Sequence, residues 1–563
     1  KHVPSPLFNY LFRGGLTRAK MDFGGSEKKE EGHAANDRMS NPFVNALLTD
    51  LYQVSMAYAY WSIGKHSDKA VFDLFFRKNP FKGEFTVFAG LEECLKFVKN
   101  FKYTKTMISK MRKKFSWPDK FWDWLSTLDS KGVKIYALDE GSICFPSCPL
   151  LRVEGPLAVC QLLETTLLCL VNYPSLICTN AARHRLAAGK NKVLLEFGLR
   201  RAQGPDGGMS ASRYAVMGGF DGTSNVLAAI EYGLVCKGTH AHSFVASFKS
   251  LDEIKSNSIQ GREGVDFVAK VLQWRKTFGR TNTNEGELTA FISFAQAFPN
   301  RFLALIDTYD TLNSGVWNFL CVAAALQEMG FKPIGVRLDS GDLAYLSCEC
   351  RRIFREVEQK HGFLSFGKLT IVASNSLSED IICDLNRQGH EIDCFGIGTN
   401  LVTCKSQPAL GCVYKLVELN SIPRIKISNE VSKVNIPGSK QVYRLYNKDT
   451  EPVVDILMGT DEKVPEVGER ILCRHPYNAQ KRVYCVPKKV EPLLKCVFDG
   501  GDIKISFKSV QEVRERVALQ LSSMRSDHLR QINPTPYKVS LSSKMYTFMH
   551  KLWQDGVPIR EIC

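Results

Sequence analysis

The stretch FLALIDTYDTLNSGVWNFLCVAAALQEMGFKPIGVRLDSGD, residues 302–342, decides the fold. It opens on a short apolar run, Phe302–Asp307, with carboxylates at Asp307 and Asp310. A longer run of helical length follows, Gly315–Met329. A second short run, Pro333–Asp339, then closes on Arg337, Asp339 and Asp342. Strand, helix, strand in this order predicts parallel strands joined by a right-handed crossover. Both strands end in charge, and the ends of parallel strands share one edge of a sheet.

The same unit recurs outward from this stretch. Strand-like runs lie at Val193–Phe197, Leu234–Thr239, Leu369–Ser374 and Cys394–Gly398, and a further helix is predicted over Leu343–Gln359. Each strand runs into a polar or glycine-containing cluster. The clusters are Gly198-Leu-Arg200-Arg201, His240-Ala-His242-Ser243, Asn375-Ser376 and Gly396-Ile-Gly398-Thr399-Asn400, besides the two already quoted. Six such strands make a doubly wound sheet or an α/β barrel. In a barrel the six clusters converge on the face where active sites are built.

The flanks differ. Ala46–Trp61 is apolar almost all round and predicts a buried helix with Thr49 or Asp50 as N-cap. A strand follows over 69–76, helices over 90–128 and short strands over 133–154. Leu157–Ile177 is interrupted by Gln161, Glu164, Asn172 and Pro174, so it predicts a buried helix followed by a turn, not a membrane span. After Val413 the alternation stops. Short strands are predicted over 413–419, 441–446, 453–458 and 482–486, with a helix over 508–526. The expected organisation is a flexible extension over 1–40, an α+β segment over 41–185 and an α/β barrel carrying the active site over 186–412. A β-rich segment over 413–563 packs with the N-terminal one. Met21 or Met39 is a candidate start within the extension.

Bulk composition narrows the function. Hydrophobic residues make up 44% and charged residues 23%, which suits a water-soluble globular protein. The net charge of +16 comes from basic residues interleaved with acids, with no basic, aromatic-studded stripe. That pattern favours anionic small molecules and argues against nucleic acid. The 18 cysteines are scattered, many within apolar runs, and no second pair stands at zinc-finger spacing. Reduced thiols in a cytoplasmic enzyme are the expectation.

The clusters suggest chemistry. The glycines of 396–398, just after a strand, let backbone N–H groups approach an anion closely. Ser376 and Glu379 have capping-box spacing, and neither a Walker A motif nor a complete Gly-x-Gly-x-x-Gly is present. Arg337 and Asp339 alternate by two, so a guanidinium for phosphate stands beside a carboxylate for hydroxyls or a divalent metal, with Asp307 and Asp310 supplying further carboxylates one strand earlier. Phe197 and Arg200 flank Gly198 and suit a flat anionic ring, although Phe197 equally suits a core. His240 and His242 lack the spacing of one helical face, and a third metal ligand from another strand stays open. If a helix begins after Ala241, His242 meets an anion at its start. Histidine also carries phosphoryl groups.

In order, NALLTDLYQVSMAYAYW, LLEFGLRRAQGPDGG, GTHAHSF, VRLDSGD and GIGTNLVT resemble the nicotinate phosphoribosyltransferases, among the type II phosphoribosyltransferases, over about residues 41–560. The resemblance implies an irregular α/β barrel with an α+β domain built from both chain ends. It implies a homodimer with shared active sites. The implied reaction joins nicotinate to 5-phosphoribosyl-1-pyrophosphate, giving nicotinate mononucleotide and pyrophosphate for NAD biosynthesis. ATP is the co-substrate, Mg²⁺ or Mn²⁺ the metal, and His242 the residue phosphorylated. Arg337 and Asp339 match the phosphate- and ribose-contacting pair. Gly398 and Thr399 match the 5′-phosphate loop, to which Asn375 is added, and Asp307 is a further substrate contact. Tyr52, from the partner subunit, and Phe197 match the residues that sandwich the pyridine ring, with Arg200 near the ring carboxylate.

Substrate choice turns on Ser224. Relatives using nicotinamide carry an acid there, which accepts from an amide and repels a carboxylate, whereas serine donates to a carboxylate. Nicotinate is therefore expected. The competing readings are nicotinamide or quinolinate as the base, a catalytically inert homologue, and a metalloenzyme using His240 and His242.

Overall fold

A computed structural model describes residues 41–261, 264–557 and 561, so the extension over 1–40 and its two methionines lie outside the described residues. The described chain divides into two compact units. One comprises 183–212 and 220–403, the other 41–182, 213–219 and 404–557.

The first unit is built on a parallel sheet. Its strands are β1 (Val193–Glu196), β2 (Gly222–Thr223), β3 (Leu303–Leu305), β4 (Gly335–Leu338), β5 (Thr370–Ala373) and β6 (Cys394–Ile397). They pair in the order β2-β1-β6-β5-β4-β3, every pair parallel. The strands are short and almost wholly buried, as expected where helices cover a parallel sheet. Helices Val316–Glu328 and Leu343–His361 make the crossovers from β3 to β4 and from β4 to β5, and the first is buried over most of its length.

The expected strand Leu234–Thr239 does not form. Its backbone makes one bridge, Cys236 to Thr223. Beyond that point side chains replace the ladder. The Thr239 hydroxyl donates to the Leu303 carbonyl at 2.7 Å, and the Leu305 amide donates to the His240 ring at 3.4 Å. The sheet therefore stays open by backbone pairing, with residues 236–240 lying between its two edge strands. The segment holds Gly238 and is charged at Lys237, which weakens it as a strand.

The second unit holds two larger sheets. Strand Lys69–Phe75 lies between Leu151–Pro156 and Val413–Leu419, antiparallel to both, so the two ends of the chain share one sheet. The other sheet pairs Lys440–Tyr446 with Pro452–Gly459, and Lys538–Leu541 runs parallel to the latter. Two expectations change here. The first helix is Leu51–Ser62. Asp50 occupies its N-cap without a side-chain cap bond, and only Gln53, Val54 and Ala57 are buried. Leu51, Tyr52 and Met56 are exposed, whereas Tyr58 and Trp61 pack against Trp117 and Phe121. The turn expected near Pro174 is absent, and one helix runs from Glu164 to Ala188 with Pro174 inside it. The Leu170 carbonyl, which loses its usual N–H partner at Pro174, lies against Gly90, where any Cβ would overlap it.

Candidate active site

The C-terminal ends of β3, β4 and β5 bring three sequence clusters together. Asp307 follows β3, and its Oδ2 accepts from the Asp339 amide at 2.9 Å and the Ser340 hydroxyl at 2.5 Å. Its other oxygen is buried without a hydrogen-bond partner among the described residues. Asp339 follows β4 and accepts from the Ser374 hydroxyl, at the end of β5, at 2.6 Å. Two carboxylates are thus fixed at adjacent strand ends, each with one oxygen held by the protein.

His242 stands against them. A short helix, His242–Val245, begins at this residue, so the expected helix start holds. The ring's Nε2 lies 3.8 Å from Asp339 Oδ2 and 4.0 Å from Asp307 Oδ1. Its Nδ1 lies 3.0 Å from the Thr308 hydroxyl. The side chain is 44% exposed, so the ring remains open to a ligand.

His240 points elsewhere. Its ring packs edge-on to Phe294 at 4.9 Å, and burial together with the Arg337 charge pushes its pKa down to about 4. The two histidines therefore do not converge. Among the described residues no group of three or more His, Cys, Asp or Glu side chains is arranged to hold a metal.

Arg337, on β4, is partly buried, and its Nε has no hydrogen-bond partner among the described residues. Burial lowers its pKa, Asp339 and Asp307 oppose that shift, and the Arg200 charge adds to it. The guanidinium thus lies within electrostatic reach of both carboxylates and a second cation, an arrangement that suits a phosphorylated ligand. Asp310 does different work from its expected neighbour. Its oxygens accept from the Leu312 and Asn313 amides at 3.1 and 2.8 Å and cap the turn Thr311–Gly315, which also lowers its pKa.

At β1, Phe197 is partly buried and packs against the sheet core, while Arg200 lies exposed in the turn Leu199–Arg201. Gly396 makes room for the Phe197 ring, since a Cβ there would overlap it. Gly198 lies against Val402 in the same manner. The Ser224 hydroxyl donates to the Glu196 carbonyl at 3.3 Å, and the Ser224 amide donates to the same oxygen at 2.9 Å. Gly398 and Thr399 lead into the short helix Thr399–Thr403, with Thr399 exposed.

Asn375 is exposed and accepts from the Ser376 hydroxyl at 3.1 Å. The capping box expected at Ser376 is not formed. Ser376 takes a positive φ of 50°, which turns the chain, and Ser378 becomes the N-cap. Glu379 instead pairs with Arg183 at 2.7 Å. In the second unit, Tyr52 is about half exposed and its hydroxyl donates to Glu164 at 3.3 Å.

Thr308, Ser340 and Ser374 escaped the sequence reading, although each adjoins a polar residue it singled out, Asp307, Asp339 and Asn375. Glu196 escaped it too. Its signal was a carboxylate inside the apolar run Val193–Phe197.

Two family models match the chain: the nicotinate phosphoribosyltransferase N-terminal domain over residues 47–172, and the C-terminal domain of the same family over 439–549. Nicotinate phosphoribosyltransferase 1 of Arabidopsis thaliana is 53% identical, covering 96% of this chain and 99% of the relative. Nicotinate phosphoribosyltransferase of Homo sapiens is 42% identical, covering 93% and 100%. The crystal structure of human nicotinic acid phosphoribosyltransferase superposes with a TM-score of 0.81 at 41% identity, covering 90% of this chain and all of that one.

Proposed function

The chain belongs to the nicotinate phosphoribosyltransferase family, and from that premise we propose that it condenses nicotinate with 5-phosphoribosyl-1-pyrophosphate to nicotinate mononucleotide and pyrophosphate. The observation that carries the reading is the set at the ends of β3 to β5. An accessible imidazole faces two fixed carboxylates, with Arg337 beside them.

The pyridine nitrogen attacks the anomeric carbon as pyrophosphate leaves, through an oxocarbenium-like state. The protein's task is to align the partners and stabilise charge. Phe197 stacks on the ring, and Arg200 and Ser224 face its carboxylate. Arg337 and the loop from Gly398 to Thr399, with Asn375, hold phosphate. Asp339 and Asp307 hold ribose hydroxyls or the cation.

Mg²⁺ or Mn²⁺ fits these residues. Asp307 keeps a buried oxygen without a partner among the described residues, and Mg²⁺ is commonly held by one or two carboxylates together with substrate phosphates. When bound, the cation supplies charge stabilisation to the departing pyrophosphate.

His242 is proposed as the group that ATP phosphorylates, coupling ATP hydrolysis to product formation. Thr308 orients its ring. The assembly is proposed as a homodimer in which Tyr52 of the partner subunit covers the base. The free thiols of the described residues suit a reducing, cytoplasmic setting.

The test incubates the enzyme with phosphoribosyl pyrophosphate, Mg²⁺ and ATP, with nicotinate, nicotinamide or quinolinate in parallel, and reads mononucleotide by mass. Product from nicotinate alone, increased by ATP, is expected. Product mainly from another base would overturn the substrate assignment, and none from a folded protein would favour the inert homologue.

A further inference from the structure

Glu196 ends β1 with its side chain wholly buried, a poor place for a carboxylate without several donors. It has three. The Gly198 amide donates to Oε1, and the hydroxyls of Ser212 and Thr223 donate to Oε2, at 2.9 and 2.5 Å. Its own carbonyl accepts from both the amide and the hydroxyl of Ser224.

The network continues outward. Thr223 Oγ1 accepts from the Asn225 amide at 2.9 Å, and Asn225 Nδ2 donates to Ser212 at 3.1 Å. Asn225 in turn caps the helix Val226–Tyr232. One residue therefore ties the Phe197–Arg200 turn to β2 and to Ser224. Ser212, Thr223 and Asn225 are all buried, so no water competes for these bonds.

We propose that Glu196 is the positioning residue that holds the two walls of the base pocket in register, Phe197 and Arg200 on one side and Ser224 on the other. The proposal rests on the base-site reading given above. Its distinguishing feature is selectivity. Glu196 bonds to no residue of the His242, Asp307 and Asp339 set. Loosening it should therefore misplace the base and leave the phosphoribosyl side in place.

The test uses the full-length enzyme. Glu196→Gln keeps the shape but not the charge, and its one carbonyl cannot accept from both sides. Thr223→Val removes one donor, and Thr223→Ser restores it. Glu196→Gln and Thr223→Val should raise the KM for nicotinate on the order of tenfold, while the KM for phosphoribosyl pyrophosphate moves by less than about twofold. Thr223→Ser should return the nicotinate KM toward that of the parent. If Glu196→Gln does not fold, the Thr223→Val and Thr223→Ser pair carries the test. An unmoved nicotinate KM, or equal increases in both, overturns the proposal. Phe197→Ala and Arg200→Ala run alongside. If they too leave the nicotinate KM unchanged, the base-site reading fails rather than the role of Glu196.

Discussion

His240 and His242 stand two positions apart and live in different media. One accepts a hydrogen bond from a core amide; the other faces two carboxylates from an exposed turn. His242→Ala should therefore fold normally and lose the increase in turnover that ATP brings. The ratio of ADP formed to mononucleotide formed reads this directly, and a variant with the parental ratio would exclude phosphoryl transfer through His242.

Ser224→Asp sets a carboxylate where a hydroxyl now donates. The nicotinate KM should rise by roughly tenfold or more through repulsion with the base carboxylate. Unchanged kinetics would remove Ser224 from the base site. At this scale the charged residues were legible, because a charge that closes an apolar strand stands out against the run before it. The hydroxyls of Thr308, Ser340 and Ser374 were not. Their partners depend on which strands are neighbours, and an apolar run does not state its place in a sheet.

Elements were legible where apolar length and periodicity agreed. β1, β4, β5 and β6 stand within a few residues of their expected positions, as do the helices Val316–Glu328 and Leu343–His361. The run Leu234–Thr239 misled because apolar residues also line a segment held by side chains. Pro174 misled because the surrounding helix is buried strongly enough to continue through it.

The turn Thr311–Gly315, directly after the Asp307–Asp310 cluster, is a π-type turn, a form common near functional sites. Glu287 supports it from the helix Glu285–Ala297, accepting from Ser314 at 2.6 Å and Asn318 at 2.9 Å. Burial pushes its pKa up from 4.5 to about 7, with the charges of Asp310 and Asp307 adding. The folded state then binds more protons than the unfolded state between those two values, so this group lowers stability as pH rises through that window. Glu287→Gln should keep both bonds. Relative to the parent it should gain on the order of 2–3 kcal/mol at about pH 8 compared with about pH 4. Urea melts at the two pH values check it; a difference independent of pH would show that Glu287 stays ionised.

The whole molecule carries two features that no single element accounts for. Phe43, Leu51, Met56 and Ile63 are exposed on and beside the first helix, at 73%, 55%, 36% and 72%. Such a face calls for a covering surface, and the proposed homodimer supplies one. Leu51→Glu with Ile63→Glu should yield monomers in analytical ultracentrifugation and lower activity with them. A dimer that survives both changes would place the interface elsewhere. The net charge of +16 suits anionic substrates and implies that salt weakens their capture, so the KM for phosphoribosyl pyrophosphate should rise with ionic strength.

The missing strand between the edges of the parallel sheet has a kinetic meaning. An inner strand of that sheet leaves only by breaking backbone bonds on both of its sides. At β3 the outer amide of Leu305 is guarded by one imidazole, and a ring that takes up a proton can no longer accept. Deuterium should enter there ahead of the inner strands, by a margin that widens below about pH 4, where His240 charges. The strand that presents Asp307 should thus loosen ahead of the inner ones, and the sheet would begin to come apart at its active edge.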